Sequence, residues 1–467
     1  MQHRRHSVMS RATPRSCHTL IVAVAVAALT VSTSAFTVTM SQSAAAGESP
    51  RAAGSTAREA HAATAVGVGA GAHVVAAKVA VGSFTPREYI APWWATNDHF
   101  STIFGSGEIQ KRFGVKGPEV SYRRERWETP DGDFLDVDFL DTPGGRGGGG
   151  LGGLGTGSEA GRLGHADAST APFAVLTHGL ESTSTAPLTA KMALAYQRKG
   201  FRVAVMCFRS CSGEDNRTLR AYHLGFTEDL ELVCRNLKAR QDNRKIAMRD
   251  SRSKARGRVH PNSPLFLSGF SLGGNVITKF LGELGDRAKE MGIMGGAVTC
   301  VPFDAVSCQL RVDTGFGKLV YARNFLNSLI PKMMRKSLTD PQVAEVIDLE
   351  RLQKVTTIGE FDDMVIAPVF GFDDYQDYYR KTQSGQFLKG VRVPFLAVQA
   401  INDPFMDPAK LPTLDDLEGA PVRLSYHEHG GHCAFLTDNW EENDKGWLAT
   451  EMSRFGEHVH QLSGINR

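Results

Sequence analysis

Residues 264–285 read PLFLSGFSLGGNVITKFLGELG and contain the pattern G-x-S-x-G as GFSLG at 269–273. The pattern alone is a weak signal, because the chain holds 48 glycines among its 467 residues. Its context is more specific, since an apolar run typical of a buried strand precedes it and a helix-like segment follows. Two glycines allow the sharp strand-to-helix turn that exposes a serine hydroxyl. We therefore predict that Ser271 is a nucleophile presented by such a turn.

Apolar runs alternate with helix-like segments from residue 173 to the end of the chain. Continuous apolar strands that alternate with helices indicate an α/β fold, with a mostly parallel sheet covered by helices on both faces. The strand-like runs are FAVLTH (173–178), FRVAVMCF (201–208), PLFLSGF (264–270), GGAVTCVPF (295–303), PFLAVQAI (394–401) and VRLSYHEH (422–429).

Residues 304–390 interrupt this alternation with helix-like and aromatic sequence. We interpret this stretch as a helical cap inserted over a substrate site; a second small domain is the alternative. The stretch at 144–168 is rich in glycine and cannot form a packed core, so it is predicted to be an enlarged surface loop.

The N-terminal part of the chain resembles a targeting sequence. A basic start precedes the apolar run LIVAVAVAALTV (20–31), which is short for a membrane span but suits a signal peptide. We predict a targeting segment at 1–46, a low-complexity linker at 47–83 and an ordered domain at 84–465. The composition favours an organelle, a plastid in particular; the alternatives are the secretory pathway and a membrane reached through a signal anchor.

Composition excludes some classes of function. Hydrophobic residues at 42% and charged residues at 22% are normal for a globular protein with a sizeable core. The formal net charge of +3 is too small to suggest a nucleic-acid-binding face. The seven cysteines are irregularly spaced and include no C-x-x-C pair, so neither a disulfide framework nor a zinc site is predicted.

A serine hydroxyl needs a base to remove its proton and a carboxylate to orient that base. In hydrolases that present their serine on a G-x-S-x-G turn, the chain order is serine, acid, histidine, each just beyond a strand. Asp403 follows the run 394–401, and His432 follows the run 422–429 after two glycines. We therefore predict Asp403 as the acid and His432 as the base.

Other acidic and histidine side chains are weaker candidates. Asp407 is the rival acid but lies four residues farther from the strand end. His427 and His429 lie within the strand-like run itself. Asp362 and Asp363, in the cap region, are interpreted as solvated or structural residues.

An oxyanion hole needs two backbone N–H donors. One is predicted at Leu272, which follows Ser271 at the start of a helix. The other is predicted at Leu180, because His178-Gly179-Leu180 follows the strand-like run at 173–178.

With these residues placed, the chain resembles the AB hydrolase 4 family of the α/β-hydrolases over about residues 84–465. The resemblance implies an α/β-hydrolase fold with a helical cap and places Ser271, Asp403 and His432 at the nucleophile, acid and base positions. The motifs that carry it are APWWATNDHFSTIFG (91–105), RRERWETPDGDFLDVDFL (123–140), HGLES (178–182), CFRSCSG (207–213), YHLGFTEDL (222–230), SGFSLGGN (268–275), EFDDMVIAPVFGF (360–372), NDPF (402–405) and HGGHCAF (429–435).

The chain departs from the family pattern at two places. Ser182 stands where the family usually has a small residue, often glycine, and Arg209-Ser210 stands where it usually has Arg-Gly. Both departures are expected near the oxyanion side of the site.

These observations predict a serine hydrolase that cleaves carboxylic esters of small alcohols, glycerol or lipids and needs no metal or organic cofactor. An acyltransferase that uses the same acyl-enzyme and a non-catalytic binding protein are the alternatives. A dinucleotide-binding enzyme is set aside, because GFSLGG lacks the G-x-G-x-x-G spacing. The expected partner is an acyl-ester or lipid substrate rather than a nucleic acid. Peripheral membrane contact and the oligomeric state stay open.

Overall fold

A computed structural model describes residues 68–106, 117–140, 171–250, 263–439 and 445–465. The targeting segment predicted at 1–46 and the Gly-rich loop predicted at 144–168 lie outside these residues. The chain divides into the units Met1–Val68 and Gly69–Arg467, and every side-chain contact given below lies within the second unit. Among the described residues, we find no helix with both the length and the apolar character needed to cross a membrane.

The described residues contain eight strands in one sheet, in the order β1-β2-β4-β3-β5-β6-β7-β8. β2 pairs antiparallel with both β1 and β4 near one edge, and the strands β3 to β8 are parallel to one another. This topology confirms the predicted α/β-hydrolase sheet. The strands are β1 (Arg123–Glu128), β2 (Phe134–Leu140), β3 (Phe173–Thr177), β4 (Arg202–Met206), β5 (Leu265–Phe270), β6 (Ile293–Thr299), β7 (Phe395–Ala400) and β8 (Val422–His427).

The longer helices of the described residues have eight or more residues each. They are α1 (Val68–Ser83), α2 (Asp98–Gly105), α3 (Pro187–Arg198), α4 (Glu228–Asp250), α5 (Ser271–Leu284), α6 (Ala305–Val312), α7 (Arg323–Lys336), α8 (Tyr375–Thr382) and α9 (Trp447–Ile465). Shorter helical segments are Trp93–Ala95, Arg287–Glu290, Gly315–Gly317, Lys318–Ala322, Pro341–Val346, Leu349–Leu352, Ile358–Phe361, Asp362–Ile366, Ala367–Phe370, Gly385–Gly390, Pro408–Lys410 and Asp415–Leu417.

Alternate residues of the central strands enter two separate apolar clusters. Val175 of β3 and Leu267 of β5 pack in the cluster that contains α4 and α5. Leu176 and Phe266, their neighbours in sequence, pack in the cluster that contains α3 and α9. Since successive strand residues point to opposite faces, helices cover both faces of the sheet, as the continuous apolar runs predicted.

The prediction of a low-complexity linker was wrong for its last part, which forms helix α1. The linker was expected over 47–83, but residues 68–83 form a helix. Ala77 and Ala80 of this helix are buried, and the Nε2 atom of His458 on α9 lies 3.0 Å from the Ala80 carbonyl oxygen. Small alanine side chains allow this close packing, and the same alanine-rich composition gave the segment its low-complexity character.

The cap predicted at 304–390 is helical and lies between β6 and β7. It contains α6, α7 and α8 together with several short helical segments. These helices belong to the same compact unit as the sheet. Leu326, Leu329 and Met333 of α7 are buried in the cluster that also contains residues of α4 and α5. The cap therefore shares an apolar cluster with those two helices.

We expect Gly273→Ala to lower the free energy of unfolding by about 1–3 kcal/mol, although alanine is the better helix former. The added methyl group would lie inside van der Waals contact of the Thr177 carbonyl carbon and the His178 carbonyl oxygen, and both are backbone atoms. Urea denaturation followed by circular dichroism measures the change.

Gly82→Ala is the matched control, because Gly82 lies on α1 and its added Cβ would meet no atom within 4 Å. Its unfolding midpoint should stay the same or rise slightly. Equal destabilisation by the two variants would contradict the close approach of α5 to β3.

Candidate active site

Ser271 is the first residue of α5 and follows β5 directly. Its φ of 53° lies in the left-handed region, which non-glycine residues rarely adopt. Two glycines make this turn possible, because a Cβ at Gly269 would collide with Thr177 Oγ1 and one at Gly273 with the His178 carbonyl oxygen. The close approach of β3 to α5 thus explains the sequence pattern and holds the serine in a strained conformation.

The structure brings Ser271, His432 and Asp403 together. His432 Nε2 lies 3.0 Å from Ser271 Oγ, and His432 Nδ1 lies 2.8 Å from Asp403 Oδ2. An ionised Asp403 only accepts hydrogen bonds, so Nδ1 carries the ring proton and Nε2 is left to accept the serine proton. The Asp403 side chain is fully buried, while that of His432 is 12% exposed.

The Asp403 carboxylate is itself held in place. Its Oδ1 atom accepts a hydrogen bond of 2.9 Å from the Phe405 N–H, and its Oδ2 atom lies 3.3 Å from Gln399 Nε2. These donors orient the carboxylate toward the imidazole, so the acid is positioned by its own strand and by the turn that follows.

The His432 loop is fixed from a distant part of the chain. The His432 N–H donates to Thr102 Oγ1 at 2.8 Å, and the Gly431 N–H donates to Asn402 Oδ1 at 3.0 Å. The Phe405 ring stacks on the imidazole with a centroid separation of 4.1 Å. Thr102, Asn402 and Phe405 were not predicted as site residues, although the motifs at 91–105 and 402–405 contain them.

The charge of Asp403 sets the protonation of His432. Burial acts to lower the pKa of His432, but the attraction of the Asp403 carboxylate and its hydrogen bond outweigh burial, so the pKa lies above its ordinary value of 6.5. The imidazole is therefore a stronger base than a free histidine side chain.

The loop after β3 lies beside Ser271. His178 is fully buried, which lowers its pKa to about 4 and keeps the ring neutral. The Phe208 N–H donates to Nε2 at 3.2 Å, so Nδ1 carries the proton and donates to the Gly179 carbonyl oxygen at 2.9 Å. This histidine fixes the conformation of the loop that leads into Leu180.

Leu180 and Leu272, the predicted oxyanion donors, line the same cavity as Ser271. Leu272 lies in the first turn of α5, where backbone N–H groups have no partner within the helix. An N–H group without an internal partner is free to bind a negatively charged oxygen. Both leucines thus lie on the wall of the cavity that contains Ser271.

Glu181 links this loop to the cap. Its Oε1 atom accepts hydrogen bonds from Lys332 Nζ at 2.6 Å and from the Tyr222 hydroxyl at 2.8 Å, and Ser328 Oγ donates to its Oε2. The side chains of Lys332 and Glu181 are only 9% and 6% exposed. Lys332 and Ser328 belong to α7, so a buried ion pair ties the residue after Leu180 to a cap helix. Sequence reasoning missed this pair, because its members are 151 residues apart.

The cavity at Ser271 has about 1020 Å³ of space between atoms, part of it open to solvent. Its wall is mainly apolar and comes largely from the cap, with Phe325, Leu329, Met333, Phe361 and Val365 among the lining residues. A mainly apolar lining is typical of sites that bind small molecules with apolar groups.

Asp362 lies on the wall of this cavity and is structural rather than solvated. The Tyr379 hydroxyl donates to its Oδ2 atom. Burial raises the pKa of Asp362 to about 7. Its neighbour Asp363 is exposed and accepts a hydrogen bond of 3.2 Å from the Tyr375 N–H.

The rival candidates have other contacts. Asp407 accepts the Ala409 N–H at 3.0 Å and caps a short helical turn. His427 packs against the Trp447 ring at a centroid distance of 5.1 Å, and burial lowers its pKa. His429 Nδ1 lies 3.4 Å from Asn402 Nδ2. The structure therefore brings Asp403 and His432, and not these residues, to Ser271.

Comparison with the sequences of known proteins identifies the family of this chain. "Putative esterase YheT" of Escherichia coli (strain K12) is 32% identical over 337 residues, which cover 70% of this chain and 85% of that protein. The chain belongs to the AB hydrolase 4 family of the α/β-hydrolases.

Two further relatives are more distant. "Phospholipase ABHD3" of Mus musculus is 26% identical over 76% of this chain and 77% of that protein. "Monoacylglycerol lipase" of Saccharomyces cerevisiae (strain ATCC 204508 / S288c) is 27% identical over 62% of this chain and 60% of that protein. No family model matches the chain.

One departure from the family pattern has a structural explanation. Ser210, where the family usually has glycine, has a φ of 62°, in the left-handed region that favours glycine. Its hydroxyl donates to Asn216 Oδ1 at 2.6 Å and accepts the Asn216 N–H at 2.9 Å. These two hydrogen bonds offset the backbone strain, so serine is tolerated at this position.

We expect Lys332→Met to lower the free energy of unfolding by about 3–5 kcal/mol, because it leaves the Glu181 carboxylate buried without its cation. The double variant Lys332→Met/Glu181→Gln should recover part of the loss, since the remaining amide is neutral. Urea denaturation of the two variants measures both effects.

Lys354→Met is the matched control, because Lys354 and Glu350 form an exposed pair with 70% and 86% of their side-chain surfaces accessible. Its effect should stay below about 1 kcal/mol. A loss as small for Lys332→Met would show that the buried pair does not hold the cap to the loop.

Proposed function

We propose that Ser271, His432 and Asp403 form the catalytic triad of a serine hydrolase that cleaves carboxylic esters through an acyl-enzyme. The observation that carries this proposal is the single imidazole that bridges the serine hydroxyl and a buried carboxylate, at 3.0 Å and 2.8 Å. Nucleophile, base and orienting acid are all within hydrogen-bond distance, which is the arrangement that activates a serine.

The family supports the reaction class. Membership in it makes the chain a carboxylic ester hydrolase, and the relatives named above are an esterase, a phospholipase and a monoacylglycerol lipase by description. The catalytic roles of individual residues and the nature of the substrate are the further steps that we propose.

The first chemical step is acylation. His432 Nε2 takes the proton of Ser271 as Oγ attacks the ester carbonyl carbon, and Asp403 stabilises the imidazolium that forms. The carbonyl oxygen becomes an oxyanion, which accepts hydrogen bonds from the Leu180 and Leu272 N–H groups. His432 then gives its proton to the departing alcohol, and the acyl group stays on Ser271.

The second step is deacylation by water. His432 takes a proton from a water molecule that attacks the acyl carbonyl carbon, and the same two N–H groups stabilise the second oxyanion. Return of the proton to Ser271 Oγ releases the carboxylic acid. An alcohol in place of water would make an ester instead, so product analysis with added alcohol separates hydrolysis from acyl transfer.

The cavity supports an acyl ester or lipid as the substrate. The apolar wall formed by the cap suits an acyl chain, since it removes apolar surface from water. The charged pair Glu181–Lys332 also lines the cavity. We therefore propose that the acyl chain lies against the apolar cap residues and that the alcohol or head group lies near Glu181 and Lys332.

We expect Ser271→Ala to reduce kcat for p-nitrophenyl esters by about 10⁴-fold or more, because alanine offers no nucleophilic oxygen. A series of acyl-chain lengths with the wild-type enzyme measures which chain the cavity accepts. Labelling with a fluorophosphonate should occur in the wild type and be lost in the variant.

Ser106→Ala is the control, since Ser106 is exposed and its hydroxyl donates within its own turn to the Ile103 carbonyl oxygen. Its rates should equal those of the wild type. Equal rates for wild type and Ser271→Ala would rule out the mechanism.

We expect the rate to fall as the pH drops through the pKa of His432, because only the neutral imidazole can take the serine proton. That pKa is raised above 6.5 by Asp403, so the acid limb of kcat/KM should lie above pH 6.5. Asp403→Asn should lower kcat by about 10⁴-fold and move the limb to lower pH, since the carboxylate charge is gone. A kcat/KM profile from acid to alkaline pH measures both changes.

Asp407→Asn is the matched control for this experiment, because Asp407 follows the same strand but caps a separate turn. Its acid limb should coincide with that of the wild type. A shift in Asp407→Asn and none in Asp403→Asn would reverse the assignment of the acid.

A further inference from the structure

Two cysteines meet beneath the candidate active site. Cys300 follows β6 directly, and Cys433 follows His432 on the loop after β8. They are 133 residues apart in sequence, yet the Cys433 N–H lies 3.1 Å from Cys300 Sγ. Both have positive φ values, 50° and 62°, so the backbone at each is held in an uncommon conformation.

Donors converge on the Cys300 sulfur. The Cys433 N–H approaches it at 3.1 Å and the Thr299 hydroxyl at 3.5 Å. The Gly431 carbonyl oxygen, an acceptor for the protonated thiol, is more distant at 3.8 Å. Hydrogen bonds donated to a sulfur favour its thiolate form, which is the form that binds metal ions.

The two sulfurs and one imidazole nitrogen of His432 form a compact ligand set. The ligand atoms of Cys300, His432 and Cys433 all lie within 4.8 Å of one another. In a tetrahedral site with Zn–S distances of about 2.3 Å, two sulfurs are about 3.8 Å apart. The group therefore needs only a small contraction to surround one ion.

The chemistry and the accessibility of these ligands point to zinc. Zn²⁺ prefers thiolate and imidazole ligands, whereas Mg²⁺ and Ca²⁺ prefer oxygen ligands. Cys300 is buried, while His432 and Cys433 are partly exposed. An ion can thus reach the group from the side of His432, with water as its fourth ligand. No zinc site was predicted from the sequence, because no short spacing links the cysteines; the fold brings Cys300 and Cys433 together instead.

We propose that Cys300, Cys433 and His432 bind one Zn²⁺ ion that switches the site off reversibly. This inference rests on the proposed function, since His432 must be the base for zinc to inhibit. Both thiols lose their protons to solvent on binding, and the imidazole gives a nitrogen lone pair to the ion. Whichever ring nitrogen is used, one of the hydrogen bonds to Ser271 or Asp403 is lost, and the serine proton can no longer be taken.

Zinc binding tests the ligand set directly. The full chain, with its thiols reduced, is titrated with Zn²⁺ against a chelating dye, and Co²⁺ serves as a spectroscopic probe. We expect one ion per chain and a thiolate-to-cobalt charge-transfer band. Cys433→Ala should weaken binding by about 100-fold or more and reduce the band. The absence of binding, or a cobalt spectrum without a thiolate band, would overturn the inference.

Inhibition tests the consequence for catalysis. Ester hydrolysis is measured with buffered Zn²⁺, and each protein is compared with its own zinc-free rate. We expect the wild type to lose activity and to regain it with EDTA, while Cys433→Ala resists. Cys308→Ala is the control, because Cys308 lines the cavity but lies outside the ligand set, and it should be inhibited like the wild type.

The outcomes separate this inference from the proposed function. Equal zinc inhibition of wild type and Cys433→Ala overturns the zinc site and leaves the hydrolase intact. Zinc bound through thiolate in a chain that hydrolyses no ester supports the metal site and overturns the proposed function. If Cys433→Ala does not fold by circular dichroism, Cys433→Ser takes its place, since serine keeps the size of the side chain but is a poor zinc ligand.

Discussion

The close approach of the first turn of α5 to the end of β3 is the constraint on which the site depends. Gly269 and Gly273 have no room for a Cβ, because Thr177 and His178 occupy that space. Ser271 is held between these contacts at a φ of 53°. Backbone strain of this kind costs about 1–3 kcal/mol and persists only where packing determines it from both sides. The same contact holds Gly179, which precedes Leu180, beside Ser271 at the start of α5, so the proposed nucleophile and the proposed oxyanion donors depend on one packing contact.

The order of the parallel strands assembles the rest of the site. β5, β6, β7 and β8 are neighbours, so the residues after their carboxyl ends lie along one edge of the sheet. Ser271, Cys300, Asp403 and the His432 loop follow these four strands in turn. Since Asp403 is buried, its charge acts on His432 with little screening by water, which explains the raised pKa of the imidazole.

The cap does more than cover the cavity. Through Lys332 and Ser328, helix α7 binds the carboxylate of Glu181, the residue after Leu180. Helix α7 therefore contacts the loop that contains Leu180, a proposed oxyanion donor. The buried ion pair Glu181–Lys332 thus joins the cap, which forms the apolar wall, to the loop beside Ser271. Separation of this pair would leave a buried charge without its partner.

The fold class, the turn at Ser271 and the prediction that Asp403 and His432 lie at this turn follow from the amino-acid sequence, because strand periodicity, glycine spacing and strand ends are local patterns. The packed helix at 68–83, the contact of Thr102 with the His432 loop and the pairing of Glu181 with Lys332 emerge from the three-dimensional structure. The same is true of the contact between Cys300 and Cys433. These contacts join residues far apart in the chain, and their geometry depends on how helices pack against the sheet, which no local pattern records.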